Sequence, residues 1–317
     1  DLATGIHWVL EASDYKQLSE NAVHKVSIEY SQHNVAMSYI EVYNQAISTK
    51  NKDMITFSII TITYNASKYI DRTTESVLQQ TYHHIEHIIV DGASTDNTLM
   101  LEKDYMERSY SACNGHEVRI TCEPDNGLYD AMNKGLKMAS GDYVCFLNAG
   151  DKLPDIYTIE TIVKNTELEA LQDSNLPLPA VLFGNTDIID DEGNFLFHRR
   201  LTPPEQLTWR SFRNGMLVCH QAFYARTDIA KATPFDLHYK YSSDIDWCIR
   251  IMIEAEKKGL LMKDVHAVIA LYTREGATTA HHKESLQERY RIMSKYYGGF
   301  NTFMTHLWFV VRKFIKP

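Results

Sequence analysis

Hydrophobic and polar positions change rhythm at Met54. Before it, Tyr15, Leu18, Ala22 and Val26 recur at three- and four-residue steps. Ser31 stands where a helix cap belongs, and Val35, Tyr39, Val42, Tyr43 and Ala46 after it share one face. Both spacings predict short amphipathic helices, which need a partner surface to bury their apolar sides. Residues 48–53 are polar and charged and read as a linker. From Met54 the chain turns β-branched and aromatic. Phe57–Tyr64 reads as a buried strand, 66–80 as a helix with Ile70, Thr74, Val77 and Leu78 on one face, and Ile85–Val90 as a second strand. A helix follows from about Asn97. Val118, Ile120 and Cys122 alternate as a third strand, Leu128 to Ala139 carries one helical stripe, and Tyr143–Leu147 is a fourth strand. After residue 155 the pattern is less regular.

Strands alternating with helices predict βαβ units, hence an α/β fold with a mostly parallel sheet flanked by helices. Ligands of such sheets bind at the carboxyl ends of the strands. The polar clusters fall there: Tyr64-Asn65, Asp91 to Ser94, Glu123 to Asp125, and Asn148 to Asp151.

Composition narrows the choices. With 317 residues and 44% hydrophobic side chains, a sizeable core forms. The net charge of -9 disfavours nucleic acid as a partner. The five cysteines have no metal-ligand spacing and sit partly in apolar runs, which suits a reducing compartment. No stretch reaches membrane-spanning length, and no leader pattern opens the chain, whose first residue is Asp1.

Each polar cluster has a structural and a chemical reading. Asp91 to Asp96 makes a tight turn with Ser94, Thr95 or Asp96 as helix cap, or offers Asp91 as an acceptor for the N3–H of a uracil. Asn148 to Asp151 makes an Asx turn, or places Asp151 to hold Mg2+ or Mn2+ against a departing diphosphate. Asp244 and Asp246 complement a helix dipole, or one of them is a general base. His220-Gln221 reads as structural, and His281-His282 as a solvated helix start. The glycines from Gly127 to Gly135 do not match a dinucleotide fingerprint.

The order of these pieces carries more than any one of them. F-S-I-I-T-I-T-Y-N, T-E-S-V-L-Q-Q-T-Y, I-I-V-D-G-A-S-T-D-N-T, E-P-D-N-G-L-Y-D-A-M-N-K-G and G-D-Y-V-C-F-L-N-A-G-D run densely from Phe57 to Asp151. C-H-Q-A-F-Y-A-R and S-D-I-D-W-C-I-R follow, with a fainter echo at Arg274 to Thr278. Together they resemble the family 2 glycosyltransferases of the GT-A fold, most nearly bacterial enzymes of surface-polysaccharide synthesis. The resemblance implies an inverting transfer from a nucleotide-diphosphate sugar, UDP being favoured, to a glycan or lipid-linked saccharide. It implies that Thr63, Asn65 and Asp91 line the nucleotide site, that Glu123, Asp125 and Lys134 border it, and that Asn148 and Gly150 lie near ribose and diphosphate. Asp151 would be the metal-side carboxylate for Mn2+ or Mg2+, and Asp244 the catalytic base. The chain departs from many relatives at Asn148 and Gly150, where they carry acids. A catalytically silent binding module of the same fold is the alternative.

Residues 1–47 resemble the final helices of a family 4, GT-B glycosyltransferase, which makes the chain the tail of one transferase joined to a complete second one. The expected division is a helical segment and linker over 1–53, the GT-A domain over 54–300 and an amphipathic segment over 301–317. In that last segment Phe303, Leu307, Trp308, Val310, Val311, Phe314 and Ile315 surround Arg312, Lys313 and Lys316. This suits either packing on the domain or peripheral contact with an anionic membrane. The expected location is cytoplasmic, at the inner membrane face.

Overall fold

The computed structural model describes residues 54–174, 176–274 and 281–315, with isolated positions 19, 20, 23, 25, 35, 39 and 40 before them. The chain divides into two compact units, Asp1–Met54 and Ile55–Pro317. The isolated described positions before Met54 are helical, Val35 and Tyr39 among them. Tyr15, Leu18, Ala22, Val26, Ser31, Val42, Tyr43 and Ala46 lie outside the described residues, as does the 48–53 linker.

In the second unit the first half runs β1 (Phe57–Thr63), α1 (Ile70–Leu78), β2 (Ile85–Asp91), α2 (Thr98–Ala112), β3 (Glu117–Cys122), α3 (Leu128–Met138) and β4 (Tyr143–Phe146). Every residue of β1 and β2 is buried, because helices cover both faces of a parallel sheet. That burial traps polar side chains, and each finds partners. Thr61 donates to the Leu147 carbonyl at 2.8 Å, so at His87, 2.9 Å away, it accepts from Nε2–H. Nδ1 then accepts from Tyr105 at 2.7 Å, and burial pushes the His87 pKa down to about 3.

The irregular second half joins the same sheet. It contributes α4 (Thr158–Asn165), α5 (Leu168–Asp173), β5 (Val181–Ile189), β6 (Phe195–His198), β7 (Phe223–Arg226), α6 (Thr227–Ala232), α7 (Ser243–Lys257) and β8 (Met262–Thr273). The strand order is β3-β2-β1-β4-β7-β5-β6, with β8 also beside β5. β1, β2, β3 and β4 pair in parallel, as do β5 and β8; β7 runs antiparallel to β4 and β5, and β6 to β5. Two helices close the chain, α8 (His282–Tyr297) and α9 (Gly299–Ile315). In α9 Thr302 is buried while Phe300, Phe303, Met304 and Leu307 are exposed. No helix among the described residues is long and apolar enough to cross a membrane.

Register decides what meets at the carboxyl edge. Thr63 pairs with Asp91, and Asp91 with Cys122, so three strand ends share one rung. Side chains on a rung of parallel strands point to the same face. The site is built from that rung, from the loop after β4, and from the start of α7.

Candidate active site

On the rung, Asp91 is fully buried. Its Oδ1 accepts from the Ser94 N–H at 2.8 Å and the Cys122 thiol at 3.0 Å. Its Oδ2 accepts from the Ser94 hydroxyl at 2.5 Å and from Thr63 at 3.2 Å. A carboxylate has about four lone-pair sites, so Asp91 is saturated by its own chain and organises its turn. The turn is strained: Asn65 and Ala93 both have positive φ, 50° and 63°. Asn65 is tied into it, its N–H donating to Ser94 Oγ and its Oδ1 accepting from the Thr95 N–H, both at 2.8 Å. The N-cap of the following helix is Asn97 rather than Ser94, Thr95 or Asp96; Asp96, just before it, accepts from the Thr98 N–H at 3.0 Å. Gly92 leaves room for Asp125, whose Oδ2 would lie 2.4 Å from a Cβ there and would have to swing away. Glu123 pairs with Lys134 at 3.0 Å, and Lys134 also donates to the Pro124 carbonyl at 2.7 Å, so this border is held by its own ion pair.

The loop after β4 is anchored through Gly150 and Asp151. Gly150, at φ 101°, makes the turn that favours glycine. Its N–H donates to Thr73 at 2.9 Å, and its carbonyl accepts from Thr273 at 2.6 Å and Arg72 at 3.3 Å. Arg72 also donates to the Asp190 and Asp191 carbonyls, locking this loop to the β5–β6 turn. Asp151 is 3% exposed; Oδ1 accepts from the Thr273 N–H at 2.9 Å and Oδ2 from the Gln221 amide at 2.7 Å. Burial pushes its pKa up to about 6 against those hydrogen bonds. Asn148 Oδ1 is buried with no hydrogen-bond partner, while its amide nitrogen lies 3.3 Å from His220 Nε2.

α7 delivers the third part. Trp247, wholly buried, stacks on Phe235 at 4.8 Å and meets Phe146 edge-on at 5.5 Å, which fixes the helix rotation. Asp244 then faces the site. Its Oδ1 accepts from the Tyr129 hydroxyl at 3.2 Å, and its Oδ2 lies 3.3 Å from His220 Nδ1. With Asn148 donating to Nε2, the imidazole carries its proton on Nδ1 and gives it to Asp244. Burial alone would push the Asp244 carboxyl upward. The hydrogen bond from His220, with the charge of Arg289 and the Ile245 N–H, outweighs it and holds the carboxyl below its ordinary range. Asp246 turns the other way, fully buried against Arg250 at 2.6 Å, Tyr296 at 2.8 Å and Lys295 at 3.2 Å.

His220-Gln221, read as structural from the sequence, contacts both candidate carboxylates. Adjacent residues of one short turn, His220–Ala222, send His220 to Asp244 and Gln221 to Asp151. Sequence reasoning missed Tyr129, Thr273 and Arg72 in their site roles as well, because each is a long-range partner with no local signature. His281 and His282 are exposed at the start of α8, as a solvated helix start would be.

The β4 loop suits a divalent cation in part. Asn148 Oδ1 is an unpartnered buried oxygen, and each Asp151 oxygen keeps a lone pair beyond its one donor. Among the described residues no three His, Cys, Asp or Glu side chains converge on one point. A cation here would be completed by phosphate oxygens and water, the usual manner for magnesium.

The sequence model described as Glycosyl transferase family 2 matches residues 58–230. The chain belongs to glycosyltransferase family 2. A PGL/p-HBAD biosynthesis glycosyltransferase of Mycobacterium bovis is 30% identical over 221 residues, 69% of this chain and 77% of that protein. The amylovoran biosynthesis glycosyltransferase AmsB of Erwinia amylovora is 29% identical over 225 residues, 69% of each. Among solved structures, S. aureus TarS 1-349 in complex with UDP-GlcNAc superposes with a TM-score of 0.57 at 19% identity, over 75% of this chain. This chain spans 64% of that structure's length. Mannosyltransferase PcManGT from Pyrobaculum calidifontis, in complex with GDP-Man and Mn2+, gives 0.50 at 16% identity over 76% of this chain and 64% of that one. The likeness establishes the GT-A fold of this family 2 glycosyltransferase.

Proposed function

We propose that this family 2 enzyme is an inverting glycosyltransferase that moves a sugar from a UDP-linked donor to a saccharide or lipid-linked saccharide in surface polysaccharide or glycolipid synthesis. The carrying observation is the His220–Ala222 turn, which ties Asp151 at the strand end to Asp244 at the start of α7 through adjacent side chains. Asp244 is ionised and receives the proton of the acceptor hydroxyl as that oxygen bonds to the anomeric carbon. The bond from that carbon to the diphosphate oxygen breaks on the opposite face, and the diphosphate leaves with the electron pair. Tyr129 and His220 orient the Asp244 carboxylate. Asn148 and Asp151 are the side chains suited to hold Mn2+ or Mg2+, which when bound neutralises charge on the leaving diphosphate.

For the base, Asp91 Oδ1 is the acceptor assigned to uracil N3–H. Of its two present partners there, the Ser94 N–H and the Cys122 thiol, the thiol is the weaker donor, so the N3–H displaces that contact. The acceptor class is supported by the biosynthetic names of the mycobacterial and Erwinia relatives, and such an acceptor would put the enzyme at the cytoplasmic membrane face.

The test is isothermal titration with UDP and GDP, each with Mn2+, followed by measurement of nucleotide release from UDP-sugars. UDP should bind in preference to GDP. Absence of either nucleotide's binding at millimolar concentration would make the chain a silent GT-A module instead.

A further inference from the structure

One buried acid lies behind the base site and has no part in the mechanism above. Glu102 sits on α2, wholly buried. Its Oε1 lies 2.7 Å from the Thr63 hydroxyl, and its Oε2 is buried with no hydrogen-bond partner. The same Thr63 hydroxyl is 3.2 Å from Asp91 Oδ2. A hydroxyl carries one proton, so it satisfies one of the two carboxylates. Asp91 has three further donors, whereas Glu102 has none. The charged groups that bear on Glu102 are Asp91 at the end of β2 and Asp96 before α2, both acids. Arg108, further along α2, is committed to Glu75 at 2.8 Å and Asp104 at 2.9 Å. Among the described residues no cation pairs with Glu102. A buried anion with one bare oxygen and two acidic neighbours neutralises itself rather than remaining charged.

From this geometry we infer that Glu102 is a neutral carboxylic acid that gives its proton to Thr63, which gives its own to Asp91, making Glu102 a positioning residue for nucleotide recognition. The inference rests on the reading of Asp91 as the base acceptor. The relay keeps Asp91 an acceptor only and fixes Thr63 beneath the base. Burial pushes the Glu102 pKa up to about 7, overcoming the opposing Thr63 hydrogen bond, with Asp91 and Asp96 adding to the rise. As pH climbs through that value, Thr63 turns toward the new carboxylate and a second anion appears beside Asp91. A bound nucleotide, itself anionic, raises this pKa further, so by linkage its affinity falls with rising pH. A rise of about one unit on binding corresponds to about a tenfold fall in affinity across the window.

The experiment compares the full chain with Glu102→Gln, whose amide also donates to Thr63, in two measurements. The first is stability against pH without nucleotide. A folded pKa of about 7 against the ordinary 4.5 means that the native state keeps a proton that the unfolded chain releases. Wild-type stability should therefore fall as pH rises between those values, and Glu102→Gln should lose that component. The second is UDP affinity from pH 6 to pH 8.5. The nucleotide's own titrations are common to both proteins, so a difference in slope isolates Glu102. Affinity should fall more steeply in the wild type. Glu102→Leu, which keeps volume but has no proton, should lose the same stability component and serves if the Gln variant misfolds. Equal stability profiles would mean that Glu102 is charged and would overturn the inference. A lost stability component with parallel UDP profiles would overturn the recognition role. Failure of both proteins to bind UDP at any pH would overturn the uridine reading and the recognition role with it, and the stability profiles would still decide the proton.

Discussion

Replacing Asp244 by Asn separates the proposed chemistry from the fold. The amide keeps the size of the side chain, and its oxygen still accepts from Tyr129 across 3.2 Å. Its nitrogen meets His220 Nδ1 across 3.3 Å, where a tautomer change of the imidazole accommodates it once the Asn148 amide turns its oxygen to the new Nε2–H. The fold should survive, but the proton acceptor is gone. Loss of general-base help costs about 10²–10⁴-fold in turnover, or roughly 3–5 kcal/mol of barrier. Donor affinity should stay within about threefold, under 1 kcal/mol, because Asp244 is not assigned to the nucleotide. Asp246→Asn is the control, and the structure gives it a different penalty. It strips the anion from Arg250 and Lys295, which are 24% and 48% exposed. Breaking a buried pair costs about 3–5 kcal/mol, and the solvent left to both cations puts this case near 3. For a domain of this size that is roughly a 6–12 °C fall in Tm. The assay is nucleotide release with acceptor present, alongside UDP titration and thermal unfolding of both variants. Near-normal turnover in Asp244→Asn, with abolished turnover and unchanged Tm in Asp246→Asn, would refute the assignment.

Cys122 gives a finer test of the base acceptor. Cys122→Ser puts a stronger donor on Asp91 Oδ1 and should weaken UDP binding about fivefold, while Cys122→Ala should leave it equal or tighter; the reverse order in titration would remove Asp91 from the base. A chain beginning at Met54 should fold and keep its UDP affinity, and failure to fold by circular dichroism would assign residues 1–53 to the catalytic domain. Deleting residues 303–317 should reduce co-sedimentation with anionic liposomes, given the exposed Phe303, Met304 and Leu307; unchanged sedimentation would make α9 a packing helix only.

What the sequence made legible follows from which signals are local. Phe57–Thr63 and Ile85–Asp91 are rich in β-branched residues and bounded by turn residues, so strands and their functional ends could be read together even with Thr61, Glu86 and His87 inside them. The second half could not, because β5 breaks its run with Gly184, Asn185 and Thr186, and its pairing with β8 is interrupted by register shifts. Helical spacing put Asp244 and Asp246 on different faces, but which face turned inward depended on Trp247 finding Phe235 and Phe146. Gln221 and Thr273 reach Asp151 across 70 and 122 residues. Glu102 reads as one more helix acid in L-M-L-E-K-D, and only the packing of α2 against the strand ends buries it.

The charges of the assembled site point to how it fills. Asp91 accepts from Ser94, Thr63 and Cys122, and Asp151 from Thr273 and Gln221; none of these donors is a cation. The guanidinium of Arg72 spends its contacts on the carbonyls of Gly150, Asp190 and Asp191 rather than on these acids. A diphosphate entering between anions held by neutral donors meets repulsion that these hydrogen bonds do not offset; the positive charge of Arg72 near Asp151 is a minor counterweight. Arg274, exposed, follows Thr273, whose N–H binds Asp151, and is one cation the chain itself can offer. A divalent ion arriving with the nucleotide is the other source, and Asn148 Oδ1 has an unused lone pair to offer it. The two sources separate cleanly. Chelation should weaken UDP binding far more than Arg274→Ala does if the ion carries the charge, and the order reverses if the arginine does.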